Sequence, residues 1–186
     1  MKAIVYAGYG GTEILKLAEV ETPTPKDDEV LIRVRAASVN SWDWDLVRGE
    51  PFFVRLTVKG QRRLGFDVAG IVEAVGAKVT RFKPGEEIYG DICDGGIGSF
   101  AEYVCGPERL LSHNPTAMSF EQAAALPQAG VLALEGMREV AAGMRVHVNG
   151  AGGGVGTFAI QLARHAGAEV TAVDSAEKFE VMRAAG

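Results

Sequence analysis

Residues 146–174 read VHVNGAGGGVGTFAIQLARHAGAEVTAVD, and few folds accommodate that order of residues. A short apolar strand over residues 145–149 runs directly into the glycine turn GAGGGVG. A helix follows, in which Val155, Phe158, Ala159, Leu162, Ala163 and Ala166 form one apolar stripe at i, i+3, i+4, i+7, i+8 and i+11. Gly167 ends that helix, and residues 169–173 predict a second strand that delivers Asp174. Two strands joined through a helix run parallel, so the C-terminal part is α/β.

Each part of this unit has a physical use. Glycines permit a tight turn, close approach of the backbone to a ligand, and close packing of helix on strand. The unpaired N–H groups and the dipole of the new helix favour an anion. The turn residues Gly150, Ala151, Gly153, Gly154, Val155 and Gly156 are therefore candidates to hold a dinucleotide pyrophosphate. A tight βα turn without a ligand is the alternative. Asp174 stands 24 positions after Gly150, near the ~20 expected of the acid that bonds the ribose hydroxyls. A phosphate on that ribose would meet the carboxylate, at about 4 kcal/mol for charges ~4 Å apart near a surface. Asp174 thus favours NAD(H) over NADP(H), unless Lys178 or Arg183 turns inward to compensate. Lys178 joins the candidate cofactor-binding residues for that reason.

The first part of the chain has another character. Residues 2–7, 14–21, 29–39, 65–76, 84–90 and 99–105 predict short strands or turn–strand units, punctuated by Gly and Pro, as in a small barrel or sandwich. Within residues 29–39, Val30, Ile32 and Val34 alternate with Leu31, Arg33 and Arg35. Ser41 is placed to cap a short helix over residues 42–47, with Asp43 a cap or turn partner. Ser119 and Gln122 form a capping box that opens a helix ended by Pro127, and helical spacing resumes over residues 129–140. The change of pattern puts a boundary near Leu126, giving lobes 1–126 and 127–186.

The net charge is −5, and the only dense basic run, residues 59–63, reads as a solvated loop, so no nucleic-acid partner is expected. Cys93 and Cys105 lack a C-x-x-C spacing, which fits free thiols in a reducing compartment. No apolar run approaches the ~20 residues of a membrane span, and the start lacks a signal-peptide core. The expectation is a cytoplasmic protein without a membrane partner.

The blocks MKAIVYAGYGGTEILKL, EVLIRVRAASVNSWDWDLVRGE, LGFDVAGIVEAVG, KPGEEIYGD, GSFAEYV, SFEQAAALP and the glycine unit, in this order, resemble the medium-chain dehydrogenase/reductase superfamily. The resemblance implies a mixed β and α/β fold, with a GroES-like β-barrel lobe followed by the first half of a Rossmann domain. It also implies an NAD(P)H-dependent oxidoreductase. The family's zinc branch has Cys where this chain has Asn40, and Gly-His-Glu where it has Gly65-Phe66-Asp67. His113, His147 and His165 read as structural or solvated, in a turn, a buried strand and a late helical position. No metal site and no zinc are expected, which is similar to quinone oxidoreductases and enone reductases.

In those zinc-free relatives the asparagine lines the cleft near the nicotinamide. Asn40 is accordingly the catalytic candidate, orienting a carbonyl; closing the turn before Ser41 is the other reading. Trp42 and Phe52, with Trp44 and Phe53, either wall an apolar substrate pocket or belong to the core. Leu132 stands where many relatives carry a Thr near the cofactor. The implied partners are a small carbonyl or quinone substrate and a second copy in a homodimer.

The chain stops within the helix after the second Rossmann strand, whereas a full doubly wound domain has about six strands. It therefore reads as a C-terminally truncated fragment with little activity of its own. The alternative is a non-catalytic module that associates through an exposed sheet edge.

Overall fold

A computed structural model describes residues 1–53, 55 and 62–186. They fall into two compact units, Met1–Pro127 and Gln128–Gly186.

The first unit is built on two antiparallel sheets. One has the order β2–β1–β4, from β1 (Lys2–Tyr6), β2 (Lys16–Glu19) and β4 (Arg62–Arg63). The other has the order β7–β3–β5–β6–β8, from β3 (Glu29–Ala36), β5 (Asp67–Val75), β6 (Glu87–Asp91), β7 (Tyr103–Pro107) and β8 (Leu111–His113). Residues 100–102 stitch the sheets together. Ile4 N–H donates to the Phe100 carbonyl (2.8 Å), Glu102 N–H to Lys2 (3.0 Å), and Val34 N–H to Glu102 (3.0 Å).

The five-stranded sheet encloses a core of Val30, Ile32, Val68, Val72, Phe82, Ile88, Ile92, Val104 and Leu111. The predicted alternation of β3 holds only in part, because Leu31 is buried along with Val30 and Ile32. This strand is central in its sheet, paired along both edges with β5 and β7. Gly70 marks a close approach of two strands, since a Cβ there would lie 3.0 Å from the Ile32 side chain and overlap the Arg33 carbonyl. A second core gathers Tyr6, Leu46, Val47, Leu64 and Phe66 under helix α1 (Ser41–Arg48).

Four local expectations change. The N-cap of α1 is Asn40 and not Ser41, because Asp43 accepts from the Asn40 N–H (2.9 Å) and fixes the entry one residue earlier. His113 ends strand β8 rather than sitting in a turn, with its ring 4.8 Å from that of Phe82. In the basic run, Arg62 and Arg63 pair with β1 as a strand, and Arg62 lies over the Tyr6 ring; residues 59–61 lie outside the described residues. Pro127 opens a helix as well as following one. Helix α2 (Phe120–Ala124) carries the predicted capping box, and α3 (Pro127–Gly136) starts on the proline, which lacks only an N–H that the first turn would leave unpaired.

The second unit is a parallel pair, β9 (Arg145–Asn149) and β10 (Glu169–Val173), joined by α4 (Gly154–His165) and followed by α5 (Phe179–Ala185). Ala133, Val148, Ala151, Ala159, Ile160 and Met182 form its core. The buried face of α4 is Gly156, Ala159, Ile160 and Ala163. That is the predicted stripe turned slightly, with Ile160 inside and Val155 39% exposed. His147 is central in β9 but exposed, not buried, because only one face of the pair is covered by α4.

Candidate functional site: a glycine turn and a buried amide–carboxylate group

The glycine turn connects β9 to α4. Gly150 takes φ +75°, a conformation that glycine adopts without the strain a side chain brings. Its carbonyl accepts from Gly153 N–H (3.0 Å), closing the turn, and Gly153 is the N-cap of α4. Gly156 then packs directly on the turn. A Cβ at 156 would overlap the Gly150 carbonyl and lie 2.6 Å from Cα of Ala151. Only glycine lets the helix start this close to the strand. The outer side is open, because a Cβ at Gly150 would meet nothing within 4 Å and one at Gly154 only Ala129 at 3.7 Å. Helical geometry leaves the N–H groups of Gly154, Val155 and Gly156 without intrahelical acceptors. A diphosphate fits this cradle, meeting backbone donors and no side-chain wall.

Asp174, just past β10, is tied into the same turn. Its Oδ2 accepts from Gly152 N–H (2.9 Å) and its Oδ1 from Ser175 N–H (2.7 Å). Lys178 Nζ stands 3.2 Å from Oδ1. The Ser175 N–H, with help from Gly152 and Lys178, holds this carboxyl below the usual aspartate range. The Lys178 stem crosses Gly152 so closely that a Cβ there would lie 2.9 Å from its Cδ. Arg183 instead pairs with Glu180 (2.8 Å). Lys178 therefore meets the condition under which the preference of Asp174 for an unphosphorylated ribose lapses.

In the first unit, Asn40 is half-buried and its side chain is bound. Nδ2 donates to Asp67 Oδ2 (3.0 Å) and to Ser38 Oγ (3.3 Å), while Ser38 Oγ donates to the same Asp67 oxygen (2.9 Å). Asp67 is fully buried. Asp43, 1% exposed, lies beneath. Burial pushes its carboxyl up to about 6; the Asn40 and Gly65 N–H groups pull it down, and Asp67 and Asp91 push it up. Sequence reasoning singled out Asn40 but gave no role to Asp67 or Ser38. Strand pairing between β3 and β5 brings these distant residues together, and no local spacing encodes it.

The other candidates separate. Trp42 packs on the core with Tyr6 and Phe66, whereas Phe52 and Phe53 are 71% and 60% exposed. Trp44 is half-exposed under the Arg48 guanidinium (5.7 Å). Leu132 is exposed on α3. Phe66, at the zinc branch's histidine position, is a core residue. Among the described residues no group of three or more His, Cys, Asp or Glu side chains is placed to hold a metal ion, and no helix is long and apolar enough to cross a membrane.

Comparison with known proteins agrees with this anatomy. Residues 26–116 match the alcohol dehydrogenase GroES-like domain. The whole chain aligns at 39% identity with the chloroplastic NADPH-dependent alkenal/one oxidoreductase of Arabidopsis thaliana, covering 50% of that protein. The quinone oxidoreductase of Coxiella burnetii superposes over 100% of the chain and 60% of its own, with TM-score 0.91 and 33% identity. The Escherichia coli quinone oxidoreductase complexed with NADPH does so over 100% and 56%, with TM-score 0.88 and 27% identity. The chain spans about half the length of the curated relatives it matches. With a GroES-like first unit and a strand–glycine turn–helix second unit, the chain is similar in sequence and fold to part of the quinone and alkenal oxidoreductases of the medium-chain dehydrogenase/reductase superfamily.

Proposed function

We propose that this chain serves in an NADPH-dependent reductase that transfers hydride to a quinone, an enone or a related conjugated carbonyl, without zinc. The observation that carries the reading is the turn itself, closed to any side chain at Gly156 and open to a ligand at Gly150 and Gly154. The bound dinucleotide would supply a hydride, a hydrogen with both bonding electrons, to an electron-poor substrate carbon. The displaced π electrons move to the carbonyl oxygen, and a proton from water completes the reduction.

The residues of the chain bind and orient. The first-turn N–H groups of α4 face the pyrophosphate. Lys178 neutralises Asp174 and offers its ammonium to a ribose phosphate, which moves the proposal from NAD(H) to NADPH. The NADPH-dependent alkenal/one oxidoreductase and the NADPH complex of the quinone oxidoreductase support that choice. Asn40 can donate to a carbonyl oxygen, where charge develops as hydride arrives. The buried Phe66 and the bound amide of Asn40 support a zinc-independent reaction. The proposal includes a homodimer, a cytoplasmic setting, and no nucleic-acid or membrane partner.

The test is NADPH oxidation with a conjugated enone and with a quinone, with and without a metal chelator. Turnover unaffected by the chelator supports the reading. The second reading is association through β9, which among the described strands pairs only with β10. It predicts neither turnover nor dinucleotide binding.

A further inference from the structure

We propose that Asp67, with Ser38, is the positioning group for Asn40, holding one amide N–H so that the other is presented to the substrate carbonyl. This rests on the reductase reading above. The three distances among Asn40 Nδ2, Asp67 Oδ2 and Ser38 Oγ are 3.0, 3.3 and 2.9 Å. In that triangle the two acceptors subtend only about 55° at Nδ2, whereas the two N–H bonds of an amide diverge by about 120°. One N–H therefore serves both acceptors. The second N–H has no acceptor among the described residues, and the side chain is half-buried rather than enclosed.

The chemistry of the partner fixes which way the amide faces. Oδ2 of Asp67 accepts from both neighbours, so Nδ2 and not Oδ1 of Asn40 turns to it. Ser38 donates to the same carboxylate oxygen, which leaves a lone pair on its own Oγ for the shared N–H. Asp67 is fully buried, where a hydrogen bond is strong and water does not compete for it. From the other side, Asp43 holds the Asn40 backbone N–H (2.9 Å). Main chain and side chain of Asn40 are thus gripped by two different carboxylates. A donor fixed in this way needs no reorganisation when the carbonyl oxygen gains charge.

The experiment compares wild type, Ser38→Ala, Asp67→Asn, Asn40→Ala and the Asn40→Ala/Asp67→Asn double variant. The first readout is the side-chain amide pair of Asn40 in a nitrogen–proton correlation spectrum, identified by its loss in Asn40→Ala. It should show two well-separated protons in wild type and collapse toward a mobile pair in Asp67→Asn and, less so, in Ser38→Ala. The second readout is kcat for enone reduction. Asp67→Asn should lower kcat by about tenfold to a hundredfold with KM for NADPH little changed, and should add less than about twofold in the Asn40→Ala background.

An unmoved amide pair, or an equal loss from Asp67→Asn with and without Asn40, overturns the proposal. Ser38→Ala keeps the test open if Asp67→Asn does not fold. If wild type reduces no enone or quinone, the reductase reading falls by itself, and the amide signals alone decide whether Asp67 anchors Asn40.

Discussion

Gly156→Ala is the substitution that most directly probes the glycine turn. The new Cβ would sit 2.6 Å from Cα of Ala151, whereas ordinary contact begins near 3.4 Å. Helix and turn must therefore separate by about 0.8 Å, and both obstructing groups are backbone that cannot rotate away. Overpacking of this kind costs about 1–3 kcal/mol. Alanine returns up to about 1 kcal/mol of helix propensity, so the net loss is about 1–2 kcal/mol. A shift of about 0.8 Å also takes a donor from a 2.9 Å hydrogen bond to a distance at which none exists, so NADPH affinity should fall at least about tenfold. Gly130→Ala is the control, since a Cβ there meets nothing within 4 Å; it should be neutral or stabilising. Trp42 and Trp44 both lie in the first unit, so tryptophan fluorescence does not follow the second. Hydrogen exchange of the α4 amides does. Equal protection and equal NADPH affinity in the two variants would refute the close-packing argument.

Three further predictions concern electrostatics and capping. Asp43 holds its proton more tightly folded (about 6) than its ordinary value of 3.8, so its contribution to stability falls as pH rises from about 4 to about 6. Asp43→Asn lacks this titration, so urea unfolding should show its stability relative to wild type improving over that window, by at most about 3 kcal/mol. Lys178→Met leaves Asp174 uncompensated; NADPH affinity should drop at least about tenfold and NADH affinity much less, as read by titration calorimetry. Ser119→Ala removes the acceptor of the Gln122 N–H (3.3 Å) and should cost about 1 kcal/mol, seen as faster exchange in α2.

The second unit was the more legible part of the sequence because its signals are local. Strand, glycine turn, helix, strand and acid follow one another within residues 145–174, and each needs only its neighbours to be read. The helix stripe was off by a small rotation, since Ile160 and Gly156 face the core rather than Val155. In the first unit the longer strands are legible but their edges move, and β4 and β8 are not, because two and three residues carry no periodicity. The bond between Ser38, Asn40 and Asp67 could not be read, because it depends on which strands pair and in what register. Lys178 was seen as able to turn inward, but whether it does depends on the bare backbone at Gly152 beneath its stem.

The central claim is that the glycine turn binds a nicotinamide dinucleotide phosphate. The most direct measurement is a titration of the protein with NADPH and with NADH, followed residue by residue through backbone amide shifts. The account predicts tighter binding of NADPH, with the largest shifts at residues 150–156 and 174–178. Binding without shifts at those residues, tighter binding of NADH, or no binding of either would contradict it.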